Sequence, residues 1–372
     1  MKIAIDLIYF YKENYGGISR VWSELIKRFK LDNKLQIEIL NKKNSSNIFL
    51  KELFPEIYSK KNAGFSLKNR ICNLHFLHSF FLSFVIPRDI EIFHSTGFSI
   101  PLFKRNDLKL VTTIHDMVFW EMPDRFKKTL SYWDYRWGVK NSLIKSDQII
   151  AVSHSTKESI IKYFPETENK IAIIYNGISK EFLNVPLKTK KEKFFLFVGA
   201  RNEYKNFNLL LEAFSKFHKK NNEYKLYVVG ENNKTRVYEK MVYQSLGISD
   251  VVKDFGPISQ EQLIGLMQCT SAVIIPSLSE GFNLPMIEAF ACGAYVLSSD
   301  IPVSREIGKE FALFFENNKF SLLDVMSNIG NLDFSEEKLS KMQKYAKLFN
   351  WDDSYKKLNV IYEGLIEKSN EN

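Results

Sequence analysis

A chain of 372 residues, 45% hydrophobic and 26% charged, has globular composition and the length for two domains with separate cores. No collagen-like, Pro-rich or Gly/Ser-rich segment is present, and the three cysteines, Cys72, Cys269 and Cys292, are scattered, without disulfide-framework or metal-ligand spacing. That excludes a disulfide scaffold and points to a reducing compartment. The net charge of +9 belongs to the first half: residues 1–180 hold 28 Lys and Arg against 18 Asp and Glu, and the remainder is close to neutral. An anionic membrane surface, a phosphorylated acceptor or nucleic acid would answer such a charge; plain solvation of a basic surface is the alternative.

Residues 2–9 form an apolar run interrupted by Asp6 and read as a first strand, not a signal peptide. Tyr11–Arg20 is a loop containing Gly16 and Gly17, and Val21–Phe29 has helical periodicity with Trp22, Leu25 and Ile26 on one face. Strand, glycine loop and helix open a doubly wound sheet, although G-x-G-x-x-G is missing. The two glycines are either a simple turn or a place where backbone approaches a ligand at the carboxyl end of the strand. Leu35–Leu40 is a second strand and Lys42–Lys68 a basic surface excursion. Residues 71–86 are the most apolar segment, too short and too interrupted by Asn73, His75 and His78 to span a membrane. Lys60, Lys61, Lys68 and Arg70 precede it and Arg88 follows. It is either a buried helix or one that lies in a membrane interface through Phe80 and Phe81.

Short strands at 90–93 and 108–114 end in His94 and in His115-Asp116, which would set two imidazoles on one rim of the sheet. His115 either binds or polarises a ligand hydroxyl or makes a structural hydrogen bond. A helix over 126–144, a strand over 148–153, a helix over 156–163 capped by Ser155, and a strand over 170–175 complete the first half. Residues 182–193 lose periodicity, are rich in lysine, and read as the domain linker.

The second half restarts the pattern. A strand over 194–198 runs into a loop with Arg201 and Lys205, then a helix over 208–217. Two fixed cations at such a rim suit a diphosphate; a pair of surface charges is the bland alternative. Strands follow at 225–229 and 251–255, the latter ending at Gly256, Pro257 and Ile258, and Ser259 with Gln262 makes a capping-box pattern. Ala272–Ile275 is a buried strand; Pro276 ends it, and the loop to Leu284 leads to Pro285 at the start of a helix that Gly293 stops. Backbone N–H groups at that helix start attract anions, so the amides of Phe282, Asn283 and Leu284 are expected to take a phosphate. Glu280 and Glu288, flanking it, are placed to accept hydrogen bonds from hydroxyls. A sugar joined to a nucleotide fits that chemistry. Three helices, at 322–329, 335–348 and 353–368, close the chain.

These motifs resemble one family. Val198-Gly199, Arg201, Lys205-Asn206, Val229-Gly230, Phe255-Gly256-Pro257-Ile258-Ser259 and Pro276-Ser277-x-x-Glu280-Gly281-Phe282-Asn283-Leu284-Pro285-x-x-Glu288-Ala289 are similar to the retaining glycosyltransferases of family 4. The first half adds Gly16-Gly17, His94-Ser95, Thr113-Ile114-His115-Asp116, Val152-Ser153 and Asn176-Gly177 in family order. The resemblance implies the GT-B fold: two Rossmann-like α/β domains of doubly wound parallel sheet, 1–182 on the acceptor side and 183–350 binding the nucleotide sugar, facing each other across a cleft. Residues 351–372 would be a helix returning to the first domain. It implies that Glu288 holds the ribose, Glu280 the donor sugar, and Arg201 and Lys205 the diphosphate. Gly16 and Gly17 would line the phosphate path, Gly256, Pro257 and Ile258 the base, and Gly281 to Leu284 the donor. His115 would touch the sugar or acceptor.

No metal or cofactor is expected beyond the donor. The sequence style is similar to mannosyltransferases of bacterial surface polysaccharide, which suggests GDP-mannose and a glycan or lipid-linked oligosaccharide acceptor. The site would be cytoplasmic, peripheral on the inner face of the plasma membrane. Asn283 departs from the glycine common in the family. The competing readings are a nucleotide-sugar 2-epimerase, a non-catalytic nucleotide-sugar binder, and a nucleic-acid binder for which no motif exists.

Overall fold

A computed structural model describes residues 1–12, 16–40, 45–57, 74–126, 130–230 and 236–370. Cys72, Lys60, Lys61, Lys68, Arg70 and the first residues of the 71–86 segment lie outside them. Two six-stranded sheets organise the rest. In the first, β1 (Lys2–Ile5), β2 (Gln36–Ile39), β3 (Ile92–Ser95), β4 (Lys109–Ile114), β5 (Gln148–Ala151) and β6 (Ile171–Ile173) are ordered β2-β1-β3-β4-β5-β6. In the second, β7 (Phe194–Val198), β8 (Lys225–Val229), β9 (Val252–Gly256), β10 (Ala272–Ile275), β11 (Val296–Ser299) and β12 (Ala312–Phe315) are ordered β9-β8-β7-β10-β11-β12. Every pairing is parallel. Parallel sheets carry helices on both faces, which is why β3, β10 and β11 are buried at every position and β10 and β11 read as apolar or small-residue runs. The expected α/β class with two Rossmann-like sheets is what forms.

The chain divides into two compact units, Met1–Gly177 together with the segment from Trp351, and Ile178–Asn350. The division falls at Gly177, where the sequence reading had 182, because Ile178 donates its N–H to Phe349 O at 2.9 Å and bridges to Asn350. The Trp351–Asn370 helix packs within the first unit. Its Tyr362, fully buried, meets His94 Nδ1 at 2.5 Å; Tyr355 donates to Asp32 Oδ2 at 2.6 Å; Asp352 pairs with Arg28 at 2.6 Å.

Four local expectations change. The first strand stops at Ile5, and Ile8–Lys12 is helical. Buried Asp6 turns its carboxylate to Thr96, whose N–H and hydroxyl both donate to Oδ1, and this takes the backbone out of the ladder. The cap of the His154–Tyr163 helix is Ser153, not Ser155: the sheet releases the chain at Ala151, and extended Ser153 accepts from Thr156 N–H at 3.0 Å. His94 does not stand on the rim. It lies inside β3, fully buried, with Nδ1 on Tyr362 and Nε2 on Thr113 Oγ1 at 2.9 Å, so it is a structural residue. The helix expected over 126–144 is Leu130–Lys145, preceded by a separate turn at Pro123–Phe126.

The apolar segment forms the His75–Val85 helix, with its polarity reversed. His75, His78, Ser79 and Leu82 face inward, and Phe76, Phe80, Phe81, Phe84 and Val85 are exposed. His75 Nδ1 meets Ser99 Oγ at 2.8 Å, and the N–H groups of His75 and Phe76 donate to the Asp134 carboxylate. Those bonds hold the polar residues inside.

Candidate active site

In open α/β sheets ligands bind beyond the carboxyl ends of the strands, where strand order reverses. In the second sheet that point is the β7/β10 pair, in register at Ala272–Phe195 and Val273–Leu196. The loops that leave β7 and β10 therefore rise side by side, although 75 residues separate Lys205 from Glu280. Each loop ends in an asparagine in the left-handed region, Asn206 (φ 52°) and Asn283 (φ 73°), and each asparagine begins a helix, Phe207–His218 and Leu284–Ala291. Asparagine tolerates that conformation better than most side chains. Leu278 N–H donates to Tyr204 O at 2.7 Å and ties the loops together.

The strand ends beside this point are glycines. Gly199 (φ 148°), Gly230 (φ 132°) and Gly256 (φ 65°) end β7, β8 and β9, with Gly199 N–H on Val229 O at 2.9 Å and Gly230 N–H on Gly256 O at 3.0 Å. A Cβ on Gly230 would stand 2.3 Å from Gly199 O, while Cβ atoms on Gly199 and Gly256 would meet open space. Gly230 is thus a packing requirement. Gly199 and Gly256 keep backbone open to the outside. Pro257 is exposed and Ile258 half-buried beside them, ahead of the Gln260–Cys269 helix, whose Ser259–Gln262 capping box is complete.

Helix Leu284–Ala291 begins one residue before the expected Pro285 and ends in a Schellman motif, Gly293 N–H on Phe290 O at 3.0 Å and Ala294 N–H on Ala289 O at 2.8 Å. Glu288, 2% exposed, lies just over one turn into it. Phe282 turns its ring inward against Phe349, centroids 5.7 Å apart, so the chain offers a ligand its backbone there and not its ring. Gly281 is buried and Leu284 half-buried. Asn283 is 4% exposed, and its Oδ1 and Nδ2 meet no hydrogen-bond partner among the described residues.

The two cations are paired, not bare. Lys205 Nζ lies 2.5 Å from Glu280 Oε1, which also accepts from Ser277 Oγ at 2.7 Å. Arg201, with only 3% of its side chain exposed, sits among Asp254 (Nη2 at 2.6 Å), Glu239 (Nε at 3.4 Å) and Gly230 O (Nη1 at 3.1 Å). The expected rim of two positive charges is a rim of ion pairs. A lone buried guanidinium would cost several kcal/mol, and the two carboxylates offset part of that cost. Ser277, Glu239 and Asp254 were missed as site residues; Ser277 at least stood within the motif, whereas Glu239 lies in a helix that the sequence shows over 239–246 and the structure over Arg236–Ser245, and nothing local marks it as a partner of Arg201.

In the first unit, Gly16 is extended (φ −158°) and Gly17, exposed, opens the Gly17–Leu31 helix. A Cβ on Gly17 would meet nothing within 4 Å. His115 directly follows β4, 7% exposed, and its Nε2 meets no partner among the described residues. Burial lowers its pKa to about 3, so the ring is neutral at ordinary pH.

Residues 15–182 match the model described as Glycosyltransferase Family 4, and residues 179–349 the model described as Glycosyl transferases group 1. The O-antigen chain mannosyltransferase RfbU of Salmonella typhimurium is 30% identical over 261 residues, 70% of this chain and 69% of that protein. The chain belongs to the family 4 glycosyltransferases. It is an enzyme of the GT-B fold. Sucrose-phosphate synthase from Thermosynechococcus elongatus superimposes with a TM-score of 0.76 at 15% identity, covering 99% of this chain and 100% of that one. The Anabaena HepE structure in complex with UDP and glucose gives 0.71 at 14% identity, over 98% and 100%. Those two likenesses show the fold of this glycosyltransferase and nothing finer.

Proposed function

We propose that this glycosyltransferase moves a sugar, retaining its anomeric configuration, from a nucleoside-diphosphate donor to a glycan or lipid-linked acceptor in surface-polysaccharide synthesis, on the inner face of the plasma membrane. The observation that carries the reading is the Lys205–Glu280 pair at the strand-order reversal, beside the N-terminus of the Leu284–Ala291 helix. Arriving donor would exchange this pair: the diphosphate takes Lys205 and the helix amides, and the sugar hydroxyls take Glu280. Glu288 holds the ribose, and the base rests along Gly256, Pro257 and Ile258. Arg201 stays within its carboxylates and supports the glycine rim from beneath.

For the chemical step, the bond from the anomeric carbon to the diphosphate oxygen breaks. The acceptor oxygen bonds the same face, and its proton passes to the departing phosphate. Lys205 and the amides hold the charge that develops on that phosphate, so the reading needs no metal. His115, neutral, donates or accepts one hydrogen bond at a sugar or acceptor hydroxyl. Mannose from GDP-mannose is the favoured donor because RfbU is a mannosyltransferase.

Thermal shift with a panel of nucleoside-diphosphate sugars should single out one nucleotide. With that donor, Glu280→Ala and Lys205→Ala should each lower transfer about 10²–10³-fold in a protein that still folds, as circular dichroism would show. Near-normal transfer in both would sink the site assignment. Conversion of donor without any acceptor would favour the 2-epimerase.

A further inference from the structure

The reversed helix leaves a feature that sugar transfer does not use. Phe76, Phe80 and Phe84 recur at every fourth position on the outward face of the His75–Val85 helix, 50%, 40% and 68% exposed. Phe103, 65% exposed, joins them, its ring centroid 6.5 Å from that of Phe80 and 6.4 Å from that of Phe84. Beyond Phe76 the face continues onto the Leu130–Lys145 helix through Trp137, 5.1 Å away, and Trp133, 60% exposed one turn earlier. Five exposed aromatic rings, joined through half-buried Trp137, exceed the scattered apolar exposure of an ordinary surface.

The face is built, not frayed. Phe103 N–H donates to Ser83 Oγ at 3.1 Å, and Leu102 N–H to Ser79 O at 3.1 Å. Arg105 reaches the carbonyls of Ile86, Pro87, Arg88 and Ile90, and Lys145 Nζ that of Leu102. The Phe103 loop is thereby fastened to both helices, and the polar side chains that could have covered the rings, His75, His78 and Ser79, are held inside.

We infer that this face docks on an anionic lipid bilayer, with the Phe rings in the acyl boundary and the two tryptophans at the headgroup level. Aromatic rings on a rigid plane, tryptophan at the edge, suit such an interface. Charge decides for a bilayer against a second copy or a protein groove. Among the described residues around the rings, Lys104 is neutralised by Asp147, Arg105 by Asp107 and Asp89 by Lys2, which leaves exposed Arg88, Lys140 and Lys145 in surplus over Asp134. The first 180 residues carry the chain's whole positive excess. Two copies meeting through this face would set like charges together. The inference deepens the membrane location proposed above but rests on its own geometry.

The test is flotation of the full chain with phosphatidylcholine vesicles, with and without phosphatidylglycerol, for wild type, Phe80→Ser/Phe84→Ser and Phe103→Ser. Binding should rise with the anionic lipid, and the double variant should lose about tenfold or more of its partition coefficient. Brominated lipid should quench Trp133 fluorescence, read against Trp133→Phe. The thermal midpoint and donor-nucleotide binding should be unchanged in the variants, since exposed rings add little to stability; loss of nucleotide binding in wild type would count against the donor site and leave docking standing. No flotation with either vesicle, equal flotation of the double variant, or a wild-type dimer in sedimentation velocity that the double variant abolishes would overturn the docking.

Discussion

The side-chain amide of Asn283 is buried without a partner among the described residues, which costs about 1–3 kcal/mol until something fills it. Its backbone is left-handed at φ 73°, where glycine is at ease. Asn283→Gly should therefore keep or raise the thermal midpoint. If the amide reads a sugar hydroxyl, the same change should shift the kcat/KM ratio between gluco- and manno-configured donors by about tenfold or more. An unchanged ratio would make Asn283 a conformational residue only. His94 and His115 make a different residue-scale statement. Burial lowers both to about 3 from 6.5, and for His94 the neighbouring His115 adds to it. The unfolded chain then binds the extra protons, so stability is full above pH 6.5 and is lost as the pH falls toward 3. The slope is about 1.4 kcal/mol per pH unit for each ring. Urea midpoints should drop between pH 7 and 5, and His94→Gln should make the drop shallower; a flat wild-type profile would contradict the burial.

At the scale of elements, the glycines separate packing from ligand access. Gly230→Ala puts a methyl 2.3 Å from Gly199 O at φ 132° and should cost about 2–4 kcal/mol in chemical denaturation. Gly17→Ala adds a methyl to open space at the first position of a helix, so stability should stay within about 0.5 kcal/mol. Lost transfer in that variant would mark a ligand path; full transfer would leave a turn. Most elements were legible beforehand. Phe194–Val198, Lys225–Val229 and Ala272–Ile275 match the sequence reading residue for residue; the first and third do so because strands buried on both faces show as continuous apolar runs, and Lys225–Val229 because its apolar and aromatic residues follow a single exposed lysine. Where a polar side chain found a distant partner, as Asp6 did on Thr96, local pattern failed.

For the whole molecule, the Trp351–Asn370 helix is part of the first unit's core although it is last in sequence. Trp351, Leu358 and Tyr362 are each at most 2% exposed. A chain ended at Asn350 should lose several kcal/mol from the first unit, at about 1.5–3 kcal/mol for each large side chain. The second unit, complete by then, should still bind the donor nucleotide. Two calorimetric transitions, the first lowered by truncation and the second not, would bear this out; a single unchanged transition would refute it.

Sequence alone determined the family and the α/β class and named the residues of the candidate site, because buried strands, glycine turns and the Glu280–Glu288 spacing are local patterns carried by neighbouring residues. Tertiary structure decided what each charge and ring faces. Lys205 meets Glu280 because β7 and β10 pair, Arg201 meets Asp254 and Glu239 because β8 and β9 follow β7 on its other side, and His94 is silent because Tyr362 and Thr113 close on it. The apolar helix exposes its rings because Ser99 and Asp134 claim its polar side and its N-terminus. Such partners lie tens to hundreds of residues apart, and no periodicity within one segment encodes them.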